Sequence, residues 1–73
     1  MKYKVKYTDH TGASDEIIEF DTEEEAERTI KDDLNYCTEL FKDCDCDYAD
    51  FGNKTEFWIS GSNVYVSWER MWI

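Results

Sequence analysis

The stretch that decides the fold is TEEEAERTIKDDLNYCTELFKDC, residues 22–44 of a 73-residue chain. Thr22, followed three positions later by Glu25, forms a capping box, in which the hydroxyl accepts from one free backbone amide and the carboxylate from another. Three glutamates follow the cap directly, where the positive end of a helix dipole favours anions. The sequence therefore predicts that a helix begins at Glu23.

The same stretch carries one continuous apolar stripe. Its side chains recur at spacings of three and four residues, the period of an amphipathic helix: Ala26, Ile30, Leu34, Cys37, Phe41 and Cys44. About 23 residues at 1.5 Å each give a length of roughly 34 Å. We expect one long helix that crosses a whole small sheet.

Strand patterns flank the helix on both sides. Residues 1–7 alternate lysine with apolar or aromatic side chains, and residues 16–20 can return antiparallel after a turn at residues 8–14. Residues 55–60 and 63–68 flank Gly61-Ser62, which suits a two-residue type II′ hairpin. That turn sets a register in which Phe57 is opposite Val66 on one face of the sheet. On the other face, Trp58 is opposite Tyr65.

Residues 43–53 contain many aspartates and a Gly-Asn pair, and we interpret them as helix exit and loop. The resulting prediction is an α+β fold: an antiparallel four-stranded sheet in the order β-β-α-β-β, with the long amphipathic helix packed across one face. A length of 73 residues allows a single domain, residues 1–73, and 41% hydrophobic residues argue against a disordered acidic tail.

The cellular location is predicted from three features of the sequence. No apolar run is long enough for a membrane span, and the lysine-rich start is unlike a signal peptide. Three cysteines are an odd number, whereas small secreted domains usually carry an even disulfide framework. We expect a cytoplasmic protein with reduced thiols and no membrane partner.

The charge of the chain is concentrated in its middle. The whole sequence has a net charge of -10, but residues 15–50 hold fifteen acidic and three basic side chains, a net charge of -12. Such an excess repels nucleic acid and attracts basic proteins. The carboxylates expected to face a basic partner are those of the helix and its exit: Glu23, Glu24, Glu27, Asp32, Glu39, Asp43, Asp45 and Asp47. A solvated face that serves solubility alone is the simpler alternative.

Three aromatic residues are the expected contacts of a partner. Trp58 and Tyr65 should pair across two strands on the sheet face that the helix leaves open, and Trp72 lies in an apolar C-terminus. The alternative for the first two is a cross-strand pair that stabilises the sheet. The alternative for the terminus is packing on the body of the protein.

No catalytic pattern stands out. His10 is the one histidine and is placed in a turn, so we predict no enzyme, no catalytic residues and no cofactor. Asp43, Asp45 and Asp47 have calcium-loop spacing, but Tyr48 and Lys54 stand where that loop needs glycine and glutamate. Zinc ligation by Cys37, Cys44, Cys46 and His10 departs from the usual spacing. A metal-binding module at this Asp/Cys loop is therefore an alternative, not the expectation.

By its size, its acidic segment at residues 15–50 and its aromatic sheet, the chain resembles the small phage-encoded inhibitors called anti-CRISPR proteins, some of which mimic DNA. The resemblance is one of type and not of motif. It implies a phage or mobile-element inhibitor that occupies the basic channel of a nucleic-acid-binding effector. The alternative from another class is a structural domain that forms a homodimer through its aromatic sheet face and C-terminus.

Overall fold

The computed structural model describes residues 2–9 and 15–72. They form, in chain order, β1 (Tyr3–Asp9), β2 (Glu16–Phe20), α1 (Glu23–Leu40), β3 (Cys46–Asp50), β4 (Lys54–Ile59) and β5 (Tyr65–Arg70). The strands make one antiparallel sheet in the order β2-β1-β5-β4-β3. The helix α1 packs across one face of it.

The helix begins where the sequence predicts it and ends earlier. The hydroxyl of Thr22 accepts a hydrogen bond from the Glu25 N–H at 3.1 Å, which confirms the cap. The last turn closes at Phe41, whose N–H donates to the Cys37 carbonyl at 3.0 Å. Aspartate and cysteine are weak helix formers, so residues 43–45 do not extend it. The helix therefore has 18 residues, about 27 Å, and Cys44 is exposed beyond its end.

The first hairpin has the predicted alternation. Tyr3 pairs with Phe20 and Val5 with Ile18, so these side chains share the face that α1 covers. The strand β1 runs to Asp9, two residues beyond its predicted end. Residues 10–14, which include His10 of the proposed zinc set, lie outside the described residues.

The second hairpin confirms the predicted register. Phe57 pairs with Val66 and Trp58 with Tyr65. The turn itself differs, because the Ser62 N–H donates to the Ile59 carbonyl at 3.2 Å and makes Gly61 the third residue of a turn over 59–62. Gly61 has φ +74°, a backbone conformation that side chains with a Cβ rarely adopt.

The prediction of a four-stranded sheet was wrong, because the sheet has five strands. The additional strand, β3, lies in the segment interpreted as a loop. Its residues CDYAD show little apolar alternation, and aspartate is depleted in strands, so the local pattern is weak. Pairing with β4, from Cys46 opposite Ile59 to Asp50 opposite Thr55, holds the segment extended.

The core lies between α1 and the three inner strands. Its buried members are Val5, Ala26, Ile30, Phe57, Ile59, Val66 and Trp68. Trp68 is at the centre of β5, the middle strand, and is 1% exposed. The chain end also packs on this body, since the Trp72 ring meets the Tyr3 ring edge to face at 5.4 Å.

Candidate binding grooves

Two grooves form because one helix is too narrow to cover a five-stranded sheet. Strands spaced by about 4.8 Å make a sheet roughly 19 Å wide between its outer strands, whereas a helix with its side chains is about 10 Å across. The helix α1 thus leaves a strip of the sheet uncovered on each side. One strip lies toward β1 and β2, and the other toward β3.

The first groove, here called the acidic groove, has a volume of about 440 Å³. It runs between the C-terminal half of α1 and the strands β1, β2 and β5. Among the described residues its lining is mostly apolar, with three carboxylates and no lysine or arginine: Tyr7, Asp9, Glu16, Ile18, Asp33, Tyr36, Cys37, Leu40, Phe41, Val64, Val66 and Trp68.

Three elements bring the carboxylates of the acidic groove together. Glu16 is opposite Tyr7 in the β1–β2 register, and Asp9 is two residues farther along β1, so both are on the helix side of the sheet. Asp33 on α1 is one turn before Cys37 and accepts a hydrogen bond from the Trp68 indole N–H at 3.3 Å. The Tyr7 hydroxyl donates to Asp9 at 3.4 Å.

Burial changes the titration of the groups in the acidic groove. Loss of solvent raises the pKa of the Asp33 carboxyl, although the Trp68 hydrogen bond acts in the opposite direction. Burial and the charge of Asp9 raise the pKa of Tyr7 to about 12. Burial also raises the pKa of the Cys37 thiol, which favours its protonated form.

Two exposed apolar side chains extend the acidic groove on its helix side. Tyr36 is 68% exposed and Leu40 is 59% exposed, and they stand one turn apart on α1. In the sequence both stand beside the apolar stripe of the helix. More than half of each side chain is therefore open to contact from outside the described residues.

The second groove, here called the polar groove, lies on the other side of α1, toward β3 and β4. Its volume is about 450 Å³, and its lining is mostly polar: Glu27, Ile30, Lys31, Leu34, Asn35, Thr38, Tyr48, Asp50, Thr55 and Arg70. Arg70 joins its walls, because its guanidinium donates to Glu27 from Nε at 2.5 Å and from Nη2 at 2.8 Å. These bonds raise the pKa of Arg70 further.

The lysines on the opposite face of the sheet lie beside acidic side chains. The lysines of β1 face acids, with Lys4 Nζ at 3.8 Å from Glu19 and Lys6 Nζ at 3.2 Å from Asp15. On β4, Lys54 Nζ is 3.3 Å from Glu56. The basic first strand therefore presents no positive patch.

The predicted acidic surface is divided by the structure. Glu23, Asp32, Asp43 and Asp45 are exposed and make no ion pair among the described residues. Glu24 and Glu39 are exposed but lie beside Arg28 and Lys42 at 3.4 and 3.6 Å. Glu27 is engaged by Arg70, and Asp47 is on the far face of β3.

The predicted aromatic surface is separated from that acidic surface. Trp58 and Tyr65 are cross-strand neighbours on the face opposite the helix, and the Tyr65 hydroxyl donates to Glu56. Trp72 is partly buried against Tyr3. A flat partner surface in contact with α1 could not reach the Trp58–Tyr65 pair at the same time.

The Asp/Cys segment forms a protected sheet edge. The Asp45 carbonyl accepts from the Ser60 N–H, and the Phe51 N–H donates to the Lys54 carbonyl, both at 2.8 Å. The N–H groups of Cys46 and Tyr48 therefore point away from β4, toward the open side. The Cys46 N–H donates to the Cys44 carbonyl at 3.0 Å, and the Tyr48 N–H donates to the Asp47 carboxylate at 2.8 Å. Both N–H groups thus have acceptors within the same segment, and they are not free to pair with a strand of another molecule.

No group of three or more His, Cys, Asp or Glu side chains within residues 2–9 and 15–72 is arranged to hold a metal ion. In the same ranges, the one helix lacks the length and hydropathy needed to cross a bilayer. Cys37, Cys44 and Cys46 are free thiols.

The sequence pattern did not predict that Asp9, Glu16 and Asp33 would lie together. Asp33 carried a signal, since it stands four residues before Cys37 and so borders the apolar stripe. Thr55 carried another, because the predicted register already placed this polar residue on the core face. Comparison of the chain with protein-family models, curated proteins and solved structures gave no match.

Proposed function

We propose that this protein is a non-enzymatic binding protein that captures a basic, amphipathic segment of a partner protein in its acidic groove. The observation that carries the proposal is the composition of the groove: a mostly apolar lining with three carboxylates and, among the described residues, no lysine or arginine. Apolar burial holds a ligand without selecting its charge, whereas carboxylates near a low-dielectric surface select a cation. The two together fit a segment that carries both kinds of side chain.

The state of Asp33 supports a cationic occupant. Its carboxyl is partly buried, and this loss of solvent raises its pKa, although the Trp68 indole N–H donates a hydrogen bond to it. An arginine or lysine head group beside Asp33 would stabilise the carboxylate, and its aliphatic stem would cover apolar lining. Tyr36 and Leu40 offer exposed contact area next to the same place.

The remaining acidic surface would act at longer range. Glu23, Glu25, Asp32, Asp43 and Asp45 are exposed and carry no ion pair among the described residues. Uncompensated charge of one sign accelerates the encounter with an oppositely charged protein and weakens as salt is added. In this proposal the exposed carboxylates set the rate of encounter, and the groove sets the lifetime of the complex.

The class of partner follows from the same chemistry. Proteins that bind nucleic acid expose lysine and arginine, so a segment of such a protein carries the charge that the acidic groove would select. We therefore propose a basic nucleic-acid-binding effector as the partner and inhibition by occupation as the outcome. A phage-encoded, anti-CRISPR-like role is the biological form that this proposal takes. The Trp58–Tyr65 pair has no part in it, because it lies on the opposite face.

The test uses a synthetic helical peptide with leucine on one face and arginine on the other, titrated into the full chain by calorimetry. We expect saturable binding that weakens with salt. Changing Asp33→Asn together with Glu16→Gln should weaken binding about tenfold. The matched control, Glu23→Gln with Glu25→Gln, removes the same charge outside the groove and should cost less than about threefold.

Two outcomes would overturn the proposal. Equal weakening by both double variants would mean that the peptide responds to net charge alone. Equal affinity for a peptide with glutamate in place of arginine would mean that the carboxylates play no part. A third comparison, Leu40→Ser, tests the apolar contribution and should weaken binding without changing its dependence on salt.

A further inference from the structure

We infer that the polar groove is a second binding site, specific for a neutral ligand rich in hydroxyl groups, of the chemical class of a sugar ring. This site is separate from the acidic groove and shares no lining residue with it. Binding of a sugar at this site can therefore be tested independently of the proposed capture of a basic segment.

The first observation is a pair of buried polar atoms without a partner. Thr55 is 3% exposed and Arg70 is 4% exposed, and neither Thr55 Oγ1 nor Arg70 Nη1 has a hydrogen bond among the described residues. Both residues line the polar groove. Buried polar atoms in proteins are nearly always satisfied, so a ligand group that reached this pair would supply the missing partners.

The second observation is how the rest of the arginine is held. Its Nε and Nη2 are bonded to Glu27, which fixes the plane of the guanidinium. Its Nη1 is 3.7 Å from Asp50 Oδ1, beyond hydrogen-bond distance, and that oxygen already accepts the Gly52 N–H at 2.8 Å. A ligand atom that accepts from Nη1 and donates to Asp50 would connect the two groups.

The third observation is the charge balance of the polar groove. Its lining has two acids, Glu27 and Asp50, and two bases, Lys31 and Arg70. An anion near Arg70 would meet both carboxylates, and a cation near Asp50 would meet the guanidinium. A hydroxyl is uncharged, donates one hydrogen bond and accepts two, so it satisfies this arrangement without a net charge.

The fourth observation is the aromatic wall. Tyr48 on β3 is 57% exposed and lines the same groove, facing α1 across it. A sugar ring has an apolar face of C–H groups, which can lie on an aromatic ring while the hydroxyls at its edge reach polar side chains. Asn35 and Thr38 on α1 extend the set of donors and acceptors. A groove of 450 Å³ lies within the usual range of small-ligand sites.

The test is a titration of the isotope-labelled full chain, followed by backbone and side-chain NMR shifts. The neutral probes are methyl glucoside, methyl galactoside and methyl mannoside, with glucosamine and glucuronate as charged analogues and acetamide as a neutral ligand without hydroxyls. We expect saturable shifts around Thr55 and Tyr48 for at least one neutral sugar, with a Kd of about 1 to 10 mM. Its charged analogues should bind about tenfold more weakly.

Variants localise the effect. Thr55→Val keeps the shape of the buried side chain and removes its hydroxyl, and Tyr48→Ala removes an exposed ring, so each should weaken binding about tenfold with the fold intact. The matched control is Tyr36→Ala, which removes an exposed ring from the other side of α1 and should leave the Kd unchanged. Absence of saturable shifts with all three neutral sugars would overturn the inference. So would acetamide binding as tightly as the best sugar, or equal weakening by Tyr36→Ala.

Discussion

Arg70 at the end of β5 and Glu27 on α1 share two hydrogen bonds, although 43 positions separate them in the chain. The guanidinium is buried, whereas the carboxylate remains partly open to solvent. This contact fixes the helix against the middle strand of the sheet. It also removes Glu27 from the set of carboxylates available to a partner.

The first prediction concerns the stability that this pair provides. Changing Glu27→Ala leaves a buried guanidinium without its main acceptor, and we expect a loss of about 2 to 3 kcal/mol in the free energy of unfolding, measured with urea. The control is Glu24→Ala on the same helix, which faces the exposed Arg28 at 3.4 Å and should cost less than about 0.5 kcal/mol. Equal losses in the two variants would contradict the prediction.

The second prediction concerns the edge of the sheet at β3. Asp47→Ala removes the acceptor of the Tyr48 N–H and should expose that donor to strand addition by another molecule. We expect concentration-dependent self-association in sedimentation velocity. Asp47→Asn removes the same charge but keeps an oxygen acceptor, so it should behave as the unchanged chain does. Self-association of both variants would instead assign the effect to charge.

The third prediction concerns the pH dependence of the open face. The Tyr65 hydrogen bond, followed by Lys54, lowers the pKa of Glu56 below its ordinary 4.5. Tyr65→Phe should therefore raise that pKa toward 4.5, as measured by carboxyl NMR titration. Tyr48→Phe, on the helix side of the sheet, is the control and should leave it unchanged.

The sign of the matching stability effect follows by linkage. A carboxyl with a lowered pKa in the folded state adds stability above its unfolded pKa, and this is lost as pH falls through the folded pKa. The unfolding free energies of the unchanged chain and of Tyr65→Phe should thus differ most above about pH 4.5 and converge at lower pH. A difference that grows on acidification would show that the hydrogen bond does not favour the carboxylate.

Local patterns in the sequence predicted the parts of the fold that local interactions determine. The Thr22 cap, the strand over Glu16–Phe20 and the pairing of Trp58 with Tyr65 all depend on residues close in the chain. The strand β3 could not be predicted in this way, because its aspartates favour turns and its extended shape depends on pairing with β4. The order of strands, with β1 beside β5, depends on contacts between the two ends of the chain.

The two candidate grooves could not be predicted from the sequence for the same reason. The acidic groove requires Asp33 of the helix to face two carboxylates of the first hairpin, and their distance in space is set by how α1 crosses the sheet. The polar groove requires β3, the strand that the sequence did not reveal. The predicted acids were correctly described as an excess of charge, but their division between paired and unpaired groups depends on tertiary contacts.

The helix α1 is a shared wall, and this gives the two grooves a mechanical relation. A sideways shift of α1 over the sheet would narrow one groove and widen the other, because α1 lines both. Ligands that prefer opposite positions of such a wall oppose each other, and each weakens the other by the same factor. The Glu27–Arg70 contact holds this wall to the middle strand of the sheet, so it would limit such a shift and with it the influence of one groove on the other.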